Sequence, residues 1–233
     1  MDTTHFDIPR YLSELPLFNE TQAPALARLA TGSRLRHLRR GDMVFRAGEP
    51  SEEFHVTVTG QVRLYLVSRS GQEKVIELVG PGNCFAEAML FTGETSIVNA
   101  QTLGDSLLLS VGRRAVLAEI ADDPRLALRM LACISRRHNG LVHDVEASAL
   151  QSGVQRVIGY LQDSEGTANI PNRATLTVSL RFSCATIASL LSLTPEYFSR
   201  VLHQLQGAGL IEIGTRDIRI LDSGRLATYQ LAG

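Results

Sequence analysis

The stretch SCATIASLLSLTPEYFSRVLHQL, residues 183–205, has the pattern of two short helices joined by a tight turn. Residues 186–191 are mostly apolar or small and suit the first helix, and residues 192–193 suit the turn. Thr194 can then cap the free N–H groups of a second helix, and Pro195 can occupy its first position without losing a hydrogen bond. The segment therefore predicts a helix-turn-helix.

The second helix separates its residues onto two faces. Its inward face consists of Phe198, Val201, Leu202 and Leu205. Glu196, Ser199 and Arg200 stand at i, i+3 and i+4 and project together near its N-terminal end. Recognition helices contact base edges from such positions, where Arg can bind guanine with two hydrogen bonds and Glu can accept from cytosine. The same triplet also suits an ordinary solvated helix surface, so the interpretation depends on what surrounds it.

The residues that follow favour DNA binding. Residues 209–213, a turn at 214–216 and residues 217–220 predict a two-stranded wing. Thr194 and His203 join the candidate DNA-binding residues; His203 could contact a phosphate or lie in solvent. Duplex DNA is the predicted partner.

Residues 151–233 are thus predicted to form a winged helix-turn-helix domain. It also holds a short helix at 154–161 and a polar loop at 163–173. These residues contain seven Arg against six Asp or Glu, whereas residues 1–150 contain 16 basic against 18 acidic residues. A strongly basic, histone-like binder is excluded, so any DNA contact must come from a local face.

Residues 1–121 have the pattern of short strands. Apolar side chains fall on every second residue from 56 to 66, which is typical of a half-buried strand. Further strands are predicted at 75–79, 97–103 and 107–111. Glycines recur every 7 to 12 residues between 41 and 104 and supply the turns. The pattern predicts a sandwich or a barrel-like roll, which we expect to be antiparallel and preceded by a helical segment.

A long helix is predicted between the two domains, over residues 122–150. The acidic and proline residues at 122–124 suit a helix start. An apolar stripe runs through Met130, Ile134, Leu141 and Val145. A narrow stripe on a helix this long usually packs against a partner, which predicts a homodimer interface. The alternative is a helix that lies across its own roll. The predicted fold class is α+β: an N-terminal antiparallel β-roll, a long dimerisation helix and a C-terminal winged helix-turn-helix.

Composition restricts the class of protein. The 44% hydrophobic and 20% charged residues are those of a globular protein with a core. No apolar run is long enough to span a membrane, and the first ten residues do not resemble a secretory signal. The cysteines Cys84, Cys133 and Cys184 lie about 50 residues apart, which fits neither a disulfide framework nor a metal knuckle. These features favour a cytoplasmic protein with no membrane partner.

An enzyme is not expected. Neither a GxSxG motif nor a P-loop is present, and no His-x-His pair with a nearby carboxylate offers an open metal site. No firm metal ligand is therefore assigned. A cyclic-nucleotide-binding regulatory module of a kinase or channel remains an alternative to the transcription regulator.

Several segments together resemble the Crp/Fnr superfamily of bacterial regulators, over nearly the whole chain. Residues 41–49 (GDMVFRAGE) look like an early segment of the roll, and residues 85–91 (FAEAMLF) look like the effector-pocket segment. Residues 196–200 (EYFSR) match the E-x-x-S-R motif of the Fnr-type branch. The resemblance implies a cyclic-nucleotide-binding-like roll, a homodimer and half-sites like TTGAT. It also implies RNA polymerase as a partner and a role as an activator, although repression stays open.

Within that branch, residues 71–74 (GQEK) and 85–89 (FAEAM) look most like the Dnr subgroup, which responds to nitric oxide. Ala86 replaces a glycine of the cyclic-nucleotide members, and Glu94-Thr95 stands near their phosphate-binding Arg-Ser. No cysteine precedes Cys84. Neither cAMP nor an iron–sulfur cluster is therefore the expected effector.

The Dnr resemblance implies haem in a mainly apolar cavity of the roll. The expected pocket residues are Phe85, Glu87, Leu90, Phe91, His55 and His138. Haem needs an axial ligand, most simply a histidine, and His55 and His138 are the candidates, with His37 a weaker one. Another small-molecule effector, or none, is the alternative.

Overall fold

The computed structural model describes residues 6–163, 176–180, 182–215 and 217–229. The chain divides into two compact units, residues 1–140 and 141–233. In the part of the chain that is described, no helix is long and apolar enough to cross a membrane.

The first unit is built from two antiparallel sheets and several helices. Its strands are β1 (Ser33–Leu38), β2 (Met43–Phe45), β3 (Glu53–Thr59), β4 (Val62–Val67), β5 (Glu73–Val79), β6 (Cys84–Phe85), β7 (Asn99–Thr102) and β8 (Ser106–Gly112). Its helices are α1 (Ile8–Glu14), α2 (Ala23–Thr31), α3 (Glu87–Thr92), α4 (Arg113–Asp122) and the first part of α5 (Arg125–Leu150). One sheet has the order β1-β8-β3-β6 and the other β2-β7-β4-β5, so the predicted β-roll is confirmed.

Strand β8 is buried on both of its faces, which explains its nearly continuous apolar sequence. Leu108 joins a core formed with residues of the second sheet, including Phe45 and Leu64. Leu109, its neighbour, points the other way and joins a core formed with helices α1, α2, α4 and α5. The first sheet is thus covered on one side by the second sheet and on the other by helices.

The single strand predicted over residues 56–66 is wrong, because the chain turns at Gly60. Gly60 has φ +83°, and a side chain there would collide with Ser106. The turn separates β3 from β4, which pair in different sheets. Alternation alone could not show the break, because strands on both sides of the turn keep a period of two.

The long helix is confirmed, but it starts later than predicted. Asp122 ends helix α4, a helix that the sequence analysis did not predict, and α5 begins at Arg125. The Asp123 carboxylate accepts from the backbone N–H of Arg125 at 3.1 Å, so it acts as a cap for the new helix. The acidic and proline residues therefore mark a junction between two helices.

The second unit surrounds one apolar core. Its elements are the end of α5, α6 (Gly153–Asp163), β9 (Leu176–Ser179), α7 (Cys184–Leu190), α8 (Pro195–Gly207), β10 (Ile211–Ile213), β11 (Asp217–Ile220) and α9 (Ser223–Ala227). The strands form an antiparallel sheet of order β10-β11-β9. Strand β9 and helix α9 were not predicted, and most of the predicted loop at 163–173 lies outside the described residues.

Candidate nucleic-acid interface and sensor region

Helices α7 and α8 form the predicted helix-turn-helix, and their turn passes through Ser192. Ser192 has φ +56°, a left-handed conformation that glycine adopts more easily. The N–H of Leu193 donates to the carbonyl of Ala188 at 2.9 Å and closes the turn. Serine is thus accommodated where related turns often carry glycine.

The start of α8 is capped as its sequence predicts. The Thr194 hydroxyl accepts from the backbone N–H of Tyr197 at 3.2 Å, and Pro195 occupies the first turn. Thr194 is therefore engaged in the cap of the helix that carries the other candidate DNA-binding residues.

The two faces of α8 are those that the sequence predicts. Its apolar residues Phe198, Val201, Leu202 and Leu205 are buried in the core of the second unit. Glu196, Ser199, Arg200 and His203 are all exposed on the same helix. The structure thus places four of the five candidate DNA-binding side chains together, while the fifth, Thr194, caps the helix.

Arg200 lies over an aromatic ring. Its guanidinium carbon is 4.9 Å from the centroid of the Tyr197 ring, one turn earlier on the helix. Tyr197 is half-buried and packs against the core of the unit. Tyr197 was not among the predicted site residues, although its i, i+3 spacing from Arg200 is a local signal for this contact.

His203 has a defined hydrogen bond. Its Nδ1 lies 2.8 Å from the carbonyl oxygen of Ser199, which can only accept, so Nδ1 carries the proton. The neutral ring then has no second N–H, and a phosphate contact requires the doubly protonated form.

Strands β10 and β11 form the predicted wing beside this helix. Glu212 stands opposite Arg219 in the strand register, and their side chains form an exposed ion pair at 3.4 Å. The N–H of Gly214 donates to the carbonyl of Asp217 at 2.8 Å and closes the hairpin. Arg216 lies outside the described residues.

An ion cluster in the first unit joins helix α5 to the roll. The Arg137 guanidinium donates to the carboxylate of Glu87 at 2.6 Å and to that of Glu77 at 2.8 Å. It also donates to the carbonyl of Cys84 at 3.0 Å. Burial by itself lowers the pKa of Arg137, but the carboxylates of Glu87 and Glu77 outweigh burial and raise it.

This cluster changes the interpretation of Glu87. Its side chain is only 3% exposed, and its charge is compensated by Arg137. Sequence periodicity could not find Arg137, because its partner carboxylates come 50 and 60 residues earlier in the chain.

His55 is enclosed in the roll. Its Nδ1 lies 2.9 Å from the Ser110 hydroxyl, and its ring stacks against Phe45 and tilts against Phe85 at centroid distances of 5.9 and 5.2 Å. Burial, with a smaller contribution from the charge of Arg36, lowers the pKa of His55 to about 3. The imidazole is therefore neutral at physiological pH.

The structure does not gather the expected pocket residues around one cavity. Phe85 and Leu90 are fully buried and belong to different core clusters. Phe91 is 43% exposed, and His138 is exposed on α5. Helical phase and strand alternation give the face of each residue but not which core that face meets.

Ala86 separates strand β6 from helix α3 with φ +70°. A left-handed alanine is strained, because its Cβ approaches the following carbonyl. Ala86 thus replaces a glycine at a position where glycine would adopt the left-handed backbone conformation more easily.

The predicted dimer stripe needs one correction. Met130 is fully buried in the helix-covered core of its own unit, so it is not available to a second copy. Ile134 is half-buried, whereas Leu141 and Val145 are exposed. Leu131, which the sequence analysis passed over, is 62% exposed.

A β-roll and a winged helix-turn-helix on one chain are the architecture of a DNA-binding transcription regulator. Sequence profiles agree: the cyclic nucleotide-binding domain matches residues 35–123, and the Crp-like helix-turn-helix domain matches residues 155–229. The chain belongs to the Crp/Fnr family of DNA-binding transcription regulators.

Individual relatives support this assignment. The crystal structure of DNR from Pseudomonas aeruginosa is 32% identical, covers 99% of both chains and has a TM-score of 0.51. The CRP-like cAMP-activated global transcriptional regulator of Mycobacterium tuberculosis is 26% identical and covers 93% of this chain and 96% of its own. FixK2 from Bradyrhizobium japonicum, at 22% identity, has a TM-score of 0.74 over 86% of this chain and 98% of its own, and shows the fold.

Proposed function

We propose that this chain binds, as a homodimer, a palindromic duplex whose half-sites resemble TTGAT. The observation that carries the proposal is the exposed set Glu196, Ser199 and Arg200 on the capped helix α8, beside the wing. A two-fold dimer would place two such helices in successive major grooves, about 10 base pairs apart.

The test is a titration of labelled duplex with wild type, Arg200→Ala and Arg200→Lys. Arg200→Ala is expected to lose about 1–3 kcal/mol per half-site, the value of one bidentate base contact. Arg200→Lys keeps the charge but lacks the two-pronged geometry, so it should retain non-specific binding and lose discrimination. Binding of Arg200→Ala with wild-type affinity would refute the role of Arg200.

The homodimer is proposed to form along α5, through Ile134, Leu141 and Val145, with Leu131 continuing the stripe. The spacings of 3, 7 and 4 residues keep these side chains on one side of a helix. Ile134→Glu should give monomers in light scattering and weak operator binding, because a charge is expensive in an apolar contact. His143→Glu is the matched control, since nine residues place it on the opposite side of the helix from Ile134. An Ile134→Glu variant that stays dimeric would move the interface elsewhere.

The proposal also assigns a role to each part of the chain. The sensory domain is residues 1–121, the dimerisation helix is residues 122–150 and the DNA-binding domain is residues 151–233. Activation of transcription through RNA polymerase belongs to it as well. An in vitro transcription assay on a promoter with the palindrome separates activation, repression and no effect.

The effector is the open part of the function. The Dnr-like segments at 71–74 and 85–89 favour haem with nitric oxide. The described residues do not fit haem in this conformation, because His55 is enclosed by Phe45, Phe85 and Ser110, and His138 faces outward. Haem binding would require the roll to open around His55. A different small molecule, including a cyclic nucleotide, or no effector remains the alternative.

Two titrations decide between these effectors. Haem is added to the purified protein, then nitric oxide, while the visible spectrum and operator binding are followed; calorimetry with cAMP is run beside it. Haem sensing predicts a Soret shift that His55→Ala or His138→Ala abolishes. An unchanged spectrum of the wild-type protein would refute haem as the effector. The same conclusion would follow if His55→Ala and His138→Ala both responded to haem and nitric oxide as the wild type does.

A further inference from the structure

Two side chains of α8, those of Glu196 and Tyr197, stand where they could contact Arg200. In the structure Arg200 contacts only the second of these, Tyr197. Glu196 stands one turn earlier, at the i, i+4 spacing of helical ion pairs. Among the described residues, however, Arg200 forms no ion pair, and its guanidinium lies 4.9 Å from the centroid of the Tyr197 ring. The aromatic contact therefore replaces the ion pair.

The contact of Arg200 with Tyr197 in place of an ion pair with Glu196 agrees with the strengths of the two interactions. An exposed cation–π contact is worth at least as much as an exposed helical ion pair. Stacking uses the flat face of the guanidinium and leaves the N–H groups at its edge free. The carboxylate of Glu196 is left free by the same arrangement. Both side chains thus keep the polar atoms with which they would contact bases.

The Tyr197 ring is itself held in place by helix α6. A Cβ atom added at Gly153 would lie 2.5 Å from Tyr197 Cε1 and 3.0 Å from Leu193 Cδ2, so only glycine lets the ring pack there. Gly153 lies within a capping box: the N–H of Ser152 donates to the side chain of Gln155 at 2.8 Å, and the N–H of Gln155 donates to the Ser152 hydroxyl at 3.3 Å. The start of α6 is therefore a fixed support for the ring.

We propose that Tyr197 is a positioning residue for base recognition by Arg200, and that Gly153 makes room for it. A free arginine side chain loses many rotamers when it binds a base edge, and a stacked one has already lost part of that freedom. The ring would act through Arg200 on sequence discrimination and leave non-specific attraction to the backbone unchanged. This role depends on the proposed contact of Arg200 with DNA.

The test compares two duplexes in the full-length protein. One carries TTGAT with its inverted repeat ATCAA, and the other has the G·C pair of each half-site replaced by A·T. Discrimination is the ratio of the two dissociation constants. Tyr197→Leu, which keeps an apolar side chain but removes the ring, is expected to lower discrimination about fivefold per half-site, or about 1 kcal/mol. Tyr197→Phe, which keeps the ring, should match wild type.

A double-mutant cycle shows whether Tyr197 acts through Arg200. In the Arg200→Ala background, Tyr197→Leu should change discrimination no further, whereas a structural defect of the helix would add to the loss. Gly153→Ala displaces the ring without a substitution in α8, so it should repeat the loss of discrimination when Arg200 is present. It serves as the test if Tyr197→Leu folds poorly.

Wild-type discrimination in both Tyr197→Leu and Gly153→Ala would overturn the positioning role, as would additive losses in the cycle. A wild-type protein that binds both duplexes equally would overturn the proposed base recognition itself, and the positioning role with it.

Discussion

Replacing Arg137 with methionine should expose how the roll holds helix α5. The variant keeps most of the aliphatic bulk but leaves Glu87, whose side chain is 3% exposed, without its cation. Removal of one partner from a buried ion pair typically costs about 3–5 kcal/mol. Glu77 is 31% exposed and can turn toward water, so its share is small.

The buried carboxylate of Glu87 is the main source of the penalty, because it would keep its charge with little access to water. The expected destabilisation is therefore about 3–4 kcal/mol at pH 7, within the usual cost of breaking a buried ion pair.

The assay is urea unfolding of the full-length chain at pH 7, followed by circular dichroism at one protein concentration. The variants are Arg137→Met, the double variant Arg137→Met/Glu87→Gln, and Arg136→Met as the exposed control. The double variant removes the buried charge and should recover most of the stability at pH 7. A double variant no more stable than Arg137→Met would refute the reasoning, because the penalty would then not come from the charge of Glu87.

Two further predictions concern the roll. The pKa of His55 is lowered to about 3 in the folded chain. Below about pH 6.5, His55 therefore binds a proton in the unfolded chain but stays neutral in the folded chain. Stability is thus complete above that pH and falls below it by up to about 1.4 kcal/mol per pH unit. His55→Phe should flatten this slope in urea melts between pH 6.5 and 4.5, and an unchanged slope would assign it to other groups. Ala86→Gly should raise stability by about 1 kcal/mol in the same melts by relieving φ +70°, whereas Ala88→Gly inside α3 should lower it by about 0.5–1 kcal/mol; destabilisation by Ala86→Gly would contradict the strain.

The sequence by itself determined helix α8, because everything that defines this helix lies within a few residues. Thr194 and Pro195 set its start, and the period of 3.6 residues sends Phe198 inward and Arg200 outward. The alternation within a strand of the roll and the end of α5 at Leu150 are local in the same way. Such features depend on hydrogen bonds between neighbours in sequence and on the separation of polar from apolar side chains.

Only the tertiary structure decided which distant residues meet. The break at Gly60 divides one alternating run between two sheets, since the close approach of Ser106 comes from a strand much later in the chain. Met130 fits an exposed stripe by spacing but is covered by helices and strands of its own unit. Arg137 finds Glu77 and Glu87 across 60 and 50 residues. Periodicity indicates the face of a helix or strand on which a residue lies. The residue that it contacts in another segment is set by how whole helices and strands pack. Contacts between distant segments could therefore not be predicted from the sequence.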